Sequence, residues 1–124
     1  MTSPSNVAVS TNDRVKFTCT TDDTSASIIW YYSDTGSTDI TAIPLIVDDC
    51  NVEPSYRSTY NTERTTGGCN LIINSTRLTD AGTYMCNDHP LHAAAELVVL
   101  GNYFIYHFLI LMSDYIPVMR LDLA

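Results

Sequence analysis

The stretch Leu78-Thr79-Asp80-Ala81-Gly82-Thr83-Tyr84-Met85-Cys86 decides how the rest of the chain is read. Asp80-Ala81-Gly82 has the small and turn-forming residues of a tight turn. The residues after it suit a strand. Successive side chains on a strand point to opposite faces, so Tyr84 and Cys86 share the face turned to the core, and Met85 and Asn87 share the other. Upstream, Arg14-Val15-Lys16-Phe17-Thr18-Cys19 alternates polar and apolar residues, the pattern of a half-buried strand. Its inward set, Val15, Phe17 and Cys19, also ends on a cysteine. Further on stands the only tryptophan, Trp30, in Ile28-Ile29-Trp30-Tyr31-Tyr32.

The order and spacing of Cys19, Trp30 and Cys86, with Tyr84 two residues before the last cysteine, resemble the immunoglobulin superfamily, specifically its V-set, over roughly residues 5–101. The resemblance implies an all-β fold: a V-type Greek-key β-sandwich of two antiparallel sheets. It implies a Cys19–Cys86 disulfide joining the sheets against Trp30. It also implies a tyrosine corner, in which the Tyr84 hydroxyl bonds the backbone upstream. These residues build a core and catalyse nothing. Cys50 and Cys69 are extra to the pattern. Four cysteines with no C-x-x-C pair lack zinc spacing and suit an oxidising compartment. The even count favours a second bridge between Cys50 and Cys69; two free thiols or an intermolecular link are the alternatives.

At 124 residues the chain reads as one domain, 1–101, with a hydrophobic C-terminal tail, 102–124. Its formal charge of −8 and sequence pI near 4.4 argue against nucleic acid, whose phosphates need clustered Lys and Arg. Met1 to Ser5 has neither the charged start nor the apolar run of a secretory leader. For an extracellular protein, the expectation is that Met1 heads a mature form.

Strands are expected at about 6–10, 14–20, 28–33, 40–47, 56–63, 69–75, 82–88 and 93–100, with an acidic, Pro-containing crossing at 48–55. Ile28, Trp30, Leu97 and Val99 should face inward. Pro44 should sit where no ladder amide is needed. The resemblance suggests that Arg57 or Arg64 pairs with Asp80. One departure from antigen receptors is plain. Their F-G-x-G joining motif is replaced by Leu91-His92-Ala93-Ala94-Ala95, and the loop Asn87 to His92 is short. The chain therefore resembles an immune-type or cell-adhesion V domain more than a rearranged antigen receptor.

Little here points to chemistry. His89-x-x-His92 beside Asp88 is interrupted by Pro90 and has no third strong ligand. Asp22-Asp23 and Asp48-Asp49 lack the ligand-rich loop and turn glycine that calcium needs. There is no nucleophile–base pattern and no phosphate-cradling glycine loop. No enzyme, metal site or cofactor is expected. Asn74-Ser75-Thr76 is an N-glycosylation sequon near the end of a strand.

By analogy with V-set domains, the front sheet is the expected binding surface. Alternation puts Ile29, Tyr31, Met85 and Asn87 on its outer face, with Pro44 nearby in the stretch Ile43 to Ile46. Tyr and Met are common in interfaces. The expected function is extracellular protein recognition, at a cell surface or by a secreted protein. The expected partner is a second copy, forming a homodimer, or another V-type domain. Glycan or small-ligand binding through the loops Thr21–Ser27 and Asn87–His92 is one alternative, and a structural spacer in a larger receptor is another. Asn102 to Met112 (N-Y-F-I-Y-H-F-L-I-L-M) is the most hydrophobic run, and the largely apolar stretch around it, Leu97 to Met112, is shorter than the ~20 residues a membrane helix needs. It reads as a membrane-proximal or alternative C-terminus, or as a strand or helix packed on a sheet of this chain or of a partner. Membrane attachment is expected only through a parent protein or this tail.

Overall fold

A computed structural model of the chain describes residues 2–23, 27–88 and 91–101. Among these residues nine strands form: β1 (Val7–Ser10), β2 (Val15–Phe17), β3 (Ile29–Ser33), β4 (Leu45–Asp48), β5 (Asn51–Val52), β6 (Asn61–Thr65), β7 (Gly68–Ile73), β8 (Gly82–Asn87) and β9 (His92–Leu100). Single 3-10 turns occur at Pro54–Tyr56 and Leu78–Asp80, and no α-helix occurs among the described residues. One sheet has the order β1-β9-β8-β3-β4-β5 and the other β2-β7-β6. The two sheets are antiparallel as expected, apart from one edge pairing in which β1 runs parallel to β9, Val7 opposite Leu97.

The core lies between the sheets because each contributes one apolar face. Val15, Phe17, Leu71 and Ile73 come from the smaller sheet; Trp30, Tyr84, Ala95, Leu97 and Val99 come from the larger. Ile28, just before β3, joins them as expected. Cys19–Cys86 bonds across the layers over a separation of 67 residues. Cys50–Cys69 is also bonded, over a separation of 19. Cys69 lies next to Cys19, whose carbonyl accepts the Cys69 amide, so the two clasps are neighbours. The Trp30 indole N–H, which burial would otherwise orphan, donates to the Cys69 carbonyl at 3.1 Å.

Several strands differ from the sequence pattern. The fourth begins at Leu45 rather than 40, because Thr41 and Ala42 turn back on Asp39. Pro44 lies exposed just before it, and its carbonyl accepts the Tyr32 amide. The strand expected at 56–63 is displaced to β6. Pro54 opens a 3-10 turn, and the Thr59 and Tyr60 amides are spent on the Tyr56 carbonyl. The residues 48–55 supply the short edge strand β5.

The tyrosine corner forms. Tyr84 Oη donates to the Asp80 carbonyl at 2.7 Å. That spends its only proton, so Tyr60, 3.0 Å away, is the donor between the two hydroxyls. Tyr32 reinforces the corner by donating to the Ala81 carbonyl at 2.6 Å, its ring 5.0 Å from that of Tyr84. Gly82 is required there for space. A Cβ on it would lie 2.6 Å from the Ser33 carbonyl oxygen and 2.7 Å from the Tyr32 ring, and its φ of +148° disfavours a side chain anyway.

The arginine pairing is also corrected. Asp80, 3 % exposed, is held by Arg77, which gives it a backbone amide at 2.8 Å and a guanidinium nitrogen at 3.2 Å. Arg64 instead pairs with Asp49, and Arg57 donates to the Val52 carbonyl. Three residues of separation across one 3-10 turn bring Arg77 close, which strand-based reasoning had no means to anticipate.

Candidate functional site

The outer face of the six-stranded sheet follows from register. Trp30 pairs with Cys86, and Tyr84 with Ala95, all turned into the core. The intervening residues therefore turn out, in three rows: Ile29–Asn87–His92, Tyr31–Met85–Ala94 and Ser33–Thr83–Glu96. Leu45 extends the middle row past Tyr31, and Val98 lies beyond the third row, opposite Ala8. The sequence-predicted residues Ile29, Tyr31, Met85 and Asn87 thus share one face, with Pro44 at its β4 side.

Their expected openness is corrected. Tyr31 is 8 % exposed, Asn87 6 % and Met85 1 %, and Ile29 is only half open. None of Tyr31, Met85 and Asn87 belongs to the core cluster between the sheets. The β9 flank is different: His92, Ala94, Glu96 and Val98 are exposed, Val98 at 47 %. Ala94 and Val98 belong to this face although neither residue type by itself marks an interface as tyrosine and methionine do. The alternation of β9 held the signal, since Leu97 and Val99 inward put Val98 outward. Glu96 bridges to Thr83 on this face by a short hydrogen bond.

The loops at one end of the sandwich are only partly described. Residues 24–26 and 89–90 lie outside the described part, and with them His89 of the His89-x-x-His92 pair. The turn between β8 and β9 is closed by the Asp88 amide on the Leu91 carbonyl, and by the Leu91 amide on the Asp88 carboxylate, each at 3.0 Å. Among the described residues, no group of three or more His, Cys, Asp or Glu is placed to hold a metal ion. Also among them, no helix is long and apolar enough to cross a membrane. The expectations for residues 102–124 fall outside the described part.

At the opposite end a polar hollow of about 320 Å³ is lined by Arg57, Thr59, Tyr60, Asn61, Asn74 and Arg77. Burial pushes the Tyr60 hydroxyl up to about 12 and raises that of Tyr84 further, so both stay protonated donors. Arg77 is already engaged by Asp80 and Thr59. Asn74 is exposed just after β7, while Thr76 of its sequon is buried and donates to the Ser10 carbonyl. That threonine thus has a structural use independent of any glycan.

A family model described as "Immunoglobulin domain" matches residues 5–93, well over half of the chain. The chain belongs to the immunoglobulin domain family. The match ends inside β9, whereas the strand continues to Leu100 and completes the immunoglobulin sandwich. No curated protein matches the chain significantly. Immunoglobulin domains are generally non-enzymatic, and one carrying disulfides is typical of extracellular or secreted proteins.

Proposed function

We propose that this immunoglobulin domain is of the V-set and serves as an extracellular protein-recognition module. In this reading it pairs through the outer face of its six-stranded sheet with a second copy of itself. The V-set reading is supported by β4 and β5, which extend the β9-β8-β3 sheet as the two additional strands of variable-type domains do. The observation that carries the pairing is the outer face itself. Ala94 and Val98 stand exposed on its β9 flank, beside the closed pair Tyr31 and Met85 in register with Ala94, while the inner faces of both sheets are taken up by the core. A two-fold axis through such a face brings like rows together, and closed two-fold dimers are the commonest assembly. Asn74 lies beside a hollow at the far end, so a glycan on it would leave this face free.

Sedimentation velocity over a concentration series tests the pairing. A dimer is expected, weakened about tenfold or more by Val98→Arg or Ala94→Arg on the exposed flank. A chain that stays monomeric up to the highest soluble concentration, with residues 102–124 both intact and polar-substituted, would sink the reading. Loop-based ligand binding and a pure spacer role then take its place, and a glycan array separates those two.

A further inference from the structure

Asn74-Ser75-Thr76 is the only N-x-S/T sequence in the chain. The fold treats its first and last residues oppositely. Asn74 is exposed just past β7 and forms part of the wall of the polar hollow. Thr76 is 1 % exposed and sewn to the turn between β1 and β2. Its hydroxyl donates to the Ser10 carbonyl and its amide to the Asp13 carbonyl, each at 3.0 Å, while its own carbonyl accepts the Asn12 amide at 2.8 Å. What serine and threonine share at the third position of the sequon is a hydroxyl, so an enzyme that reads the sequon needs that group. In the folded domain the Thr76 hydroxyl is out of reach. The sequon can be read only before Thr76 closes on residues 10–13.

The hollow beside Asn74 has chemistry to offer a sugar. Its volume of about 320 Å³ lies at the small end of ligand pockets, which start near ~300 Å³. Arg77 is taken by Asp80 and Thr59, but other groups in the wall are not spent. Arg57 uses only Nε, on the Val52 carbonyl, which leaves both terminal nitrogens of its guanidinium as donors. The side chains of Ser58 and Asn61 have no hydrogen-bond partner among the described residues. Among those residues the wall also holds no carboxylate, in a chain of formal charge −8. We infer that Asn74 carries an N-linked oligosaccharide, attached before this corner folds, and that its innermost N-acetylglucosamine settles into the hollow against Arg57, Ser58 and Asn61. The hydroxyls and the acetamido carbonyl of that sugar supply the acceptors these donors lack. The covalent link makes the seating intramolecular. At an effective concentration in the millimolar range, contacts too weak to capture a free sugar hold a tethered one. The inference rests on the extracellular part of the reading above and not on the pairing, so a chain that stays monomeric leaves it intact.

Three measurements on the full chain test the site, the order of events and the seat. Translated behind a secretory leader into microsomes, the chain should gain one glycan, and Asn74→Gln should gain none. A chain shielded from added protease inside the microsomes yet still bare would overturn the site. Purified oligosaccharyltransferase with its lipid-linked donor should modify the reduced, unfolded chain. It should modify the folded chain, with both disulfides mapped, about tenfold or more slowly, because Thr76 is then reached only through local opening. Equal rates would overturn the order of events. The seat is read by peptide N-glycosidase, which cuts between Asn74 and the first sugar. A sugar seated about nine-tenths of the time slows that cut roughly tenfold relative to the unfolded glycoprotein. Arg57→Gln combined with Asn61→Ala, with both disulfides mapped as intact, should recover most of that factor, and Ser58→Ala alone should recover part of it. Equal slowing in every variant would show that the fold merely crowds the enzyme and would overturn the seat.

Discussion

Tyr84 Oη is the hinge of a two-hydroxyl relay, and its removal gives a sharp test. Tyr60 donates to Tyr84, and Tyr84 donates to the Asp80 carbonyl. Tyr60 is 5 % and Tyr84 0 % exposed, so water does not replace a lost partner. Tyr84→Phe leaves both the Asp80 carbonyl and the Tyr60 hydroxyl unpaired. At about 1–3 kcal/mol for each buried orphan, the substitution should cost roughly 2–4 kcal/mol. Tyr60→Phe deletes only an incoming donor, and Tyr84 keeps its bond to Asp80, so about 0.5–1.5 kcal/mol is expected. In the double variant the Tyr60 orphan no longer exists. Its cost should therefore fall short of the sum of the singles by about 1 kcal/mol or more. Urea unfolding with disulfides intact, followed by Trp30 fluorescence, measures all three. Additivity within about 0.3 kcal/mol, or Tyr60→Phe costing more than Tyr84→Phe, would refute the relay.

Alkaline pH should act through the same pair. Burial raises the Tyr60 hydroxyl to about 12 from an ordinary 10.0, and raises Tyr84 in the same direction. The folded state therefore keeps protons that the unfolded state gives up. Stability is complete below about pH 10 and falls as pH rises toward 12, by roughly 2–3 kcal/mol from Tyr60 alone; unfolding free energies flat across that window would contradict it. Replacing Cys50 and Cys69 together by alanine should cost about 3 kcal/mol, from a loop separation of 19, and an unchanged urea midpoint would show that the second clasp is idle. Arg77→Ala should lower the unfolding midpoint more than Arg64→Ala does, since only Arg77 faces a buried carboxylate; the reverse ranking in parallel melts would undo the corrected pairing.

The cysteines, Trp30 and Tyr84 were legible as a sandwich core because each has a chemical need that fixes its place. A disulfide needs a partner across the layers, an indole N–H needs an acceptor when buried, and a core tyrosine needs somewhere to send its hydroxyl. Strand alternation carried the rest, from Val15 and Phe17 to Leu97 and Val99. Positions with weaker local constraints were misplaced. The fourth and sixth strands shifted because Asp39 and Pro54 start turns that compete with the ladder, a contest settled by a few hydrogen bonds. The partner of Asp80 was missed because the choice among Arg57, Arg64 and Arg77 depends on where a single 3-10 turn points.

The candidate site divides along the same line. Which residues share the outer face was set by period-two geometry, a local property that any strand must obey. Whether that face meets water was not, because exposure is a property of everything that packs on it. Met85 reads from its strand as an outward residue and is one. Only the folded molecule decides that an outward side chain can still be closed off, since burial depends on neighbours distant in the chain and alternation counts only those next to it.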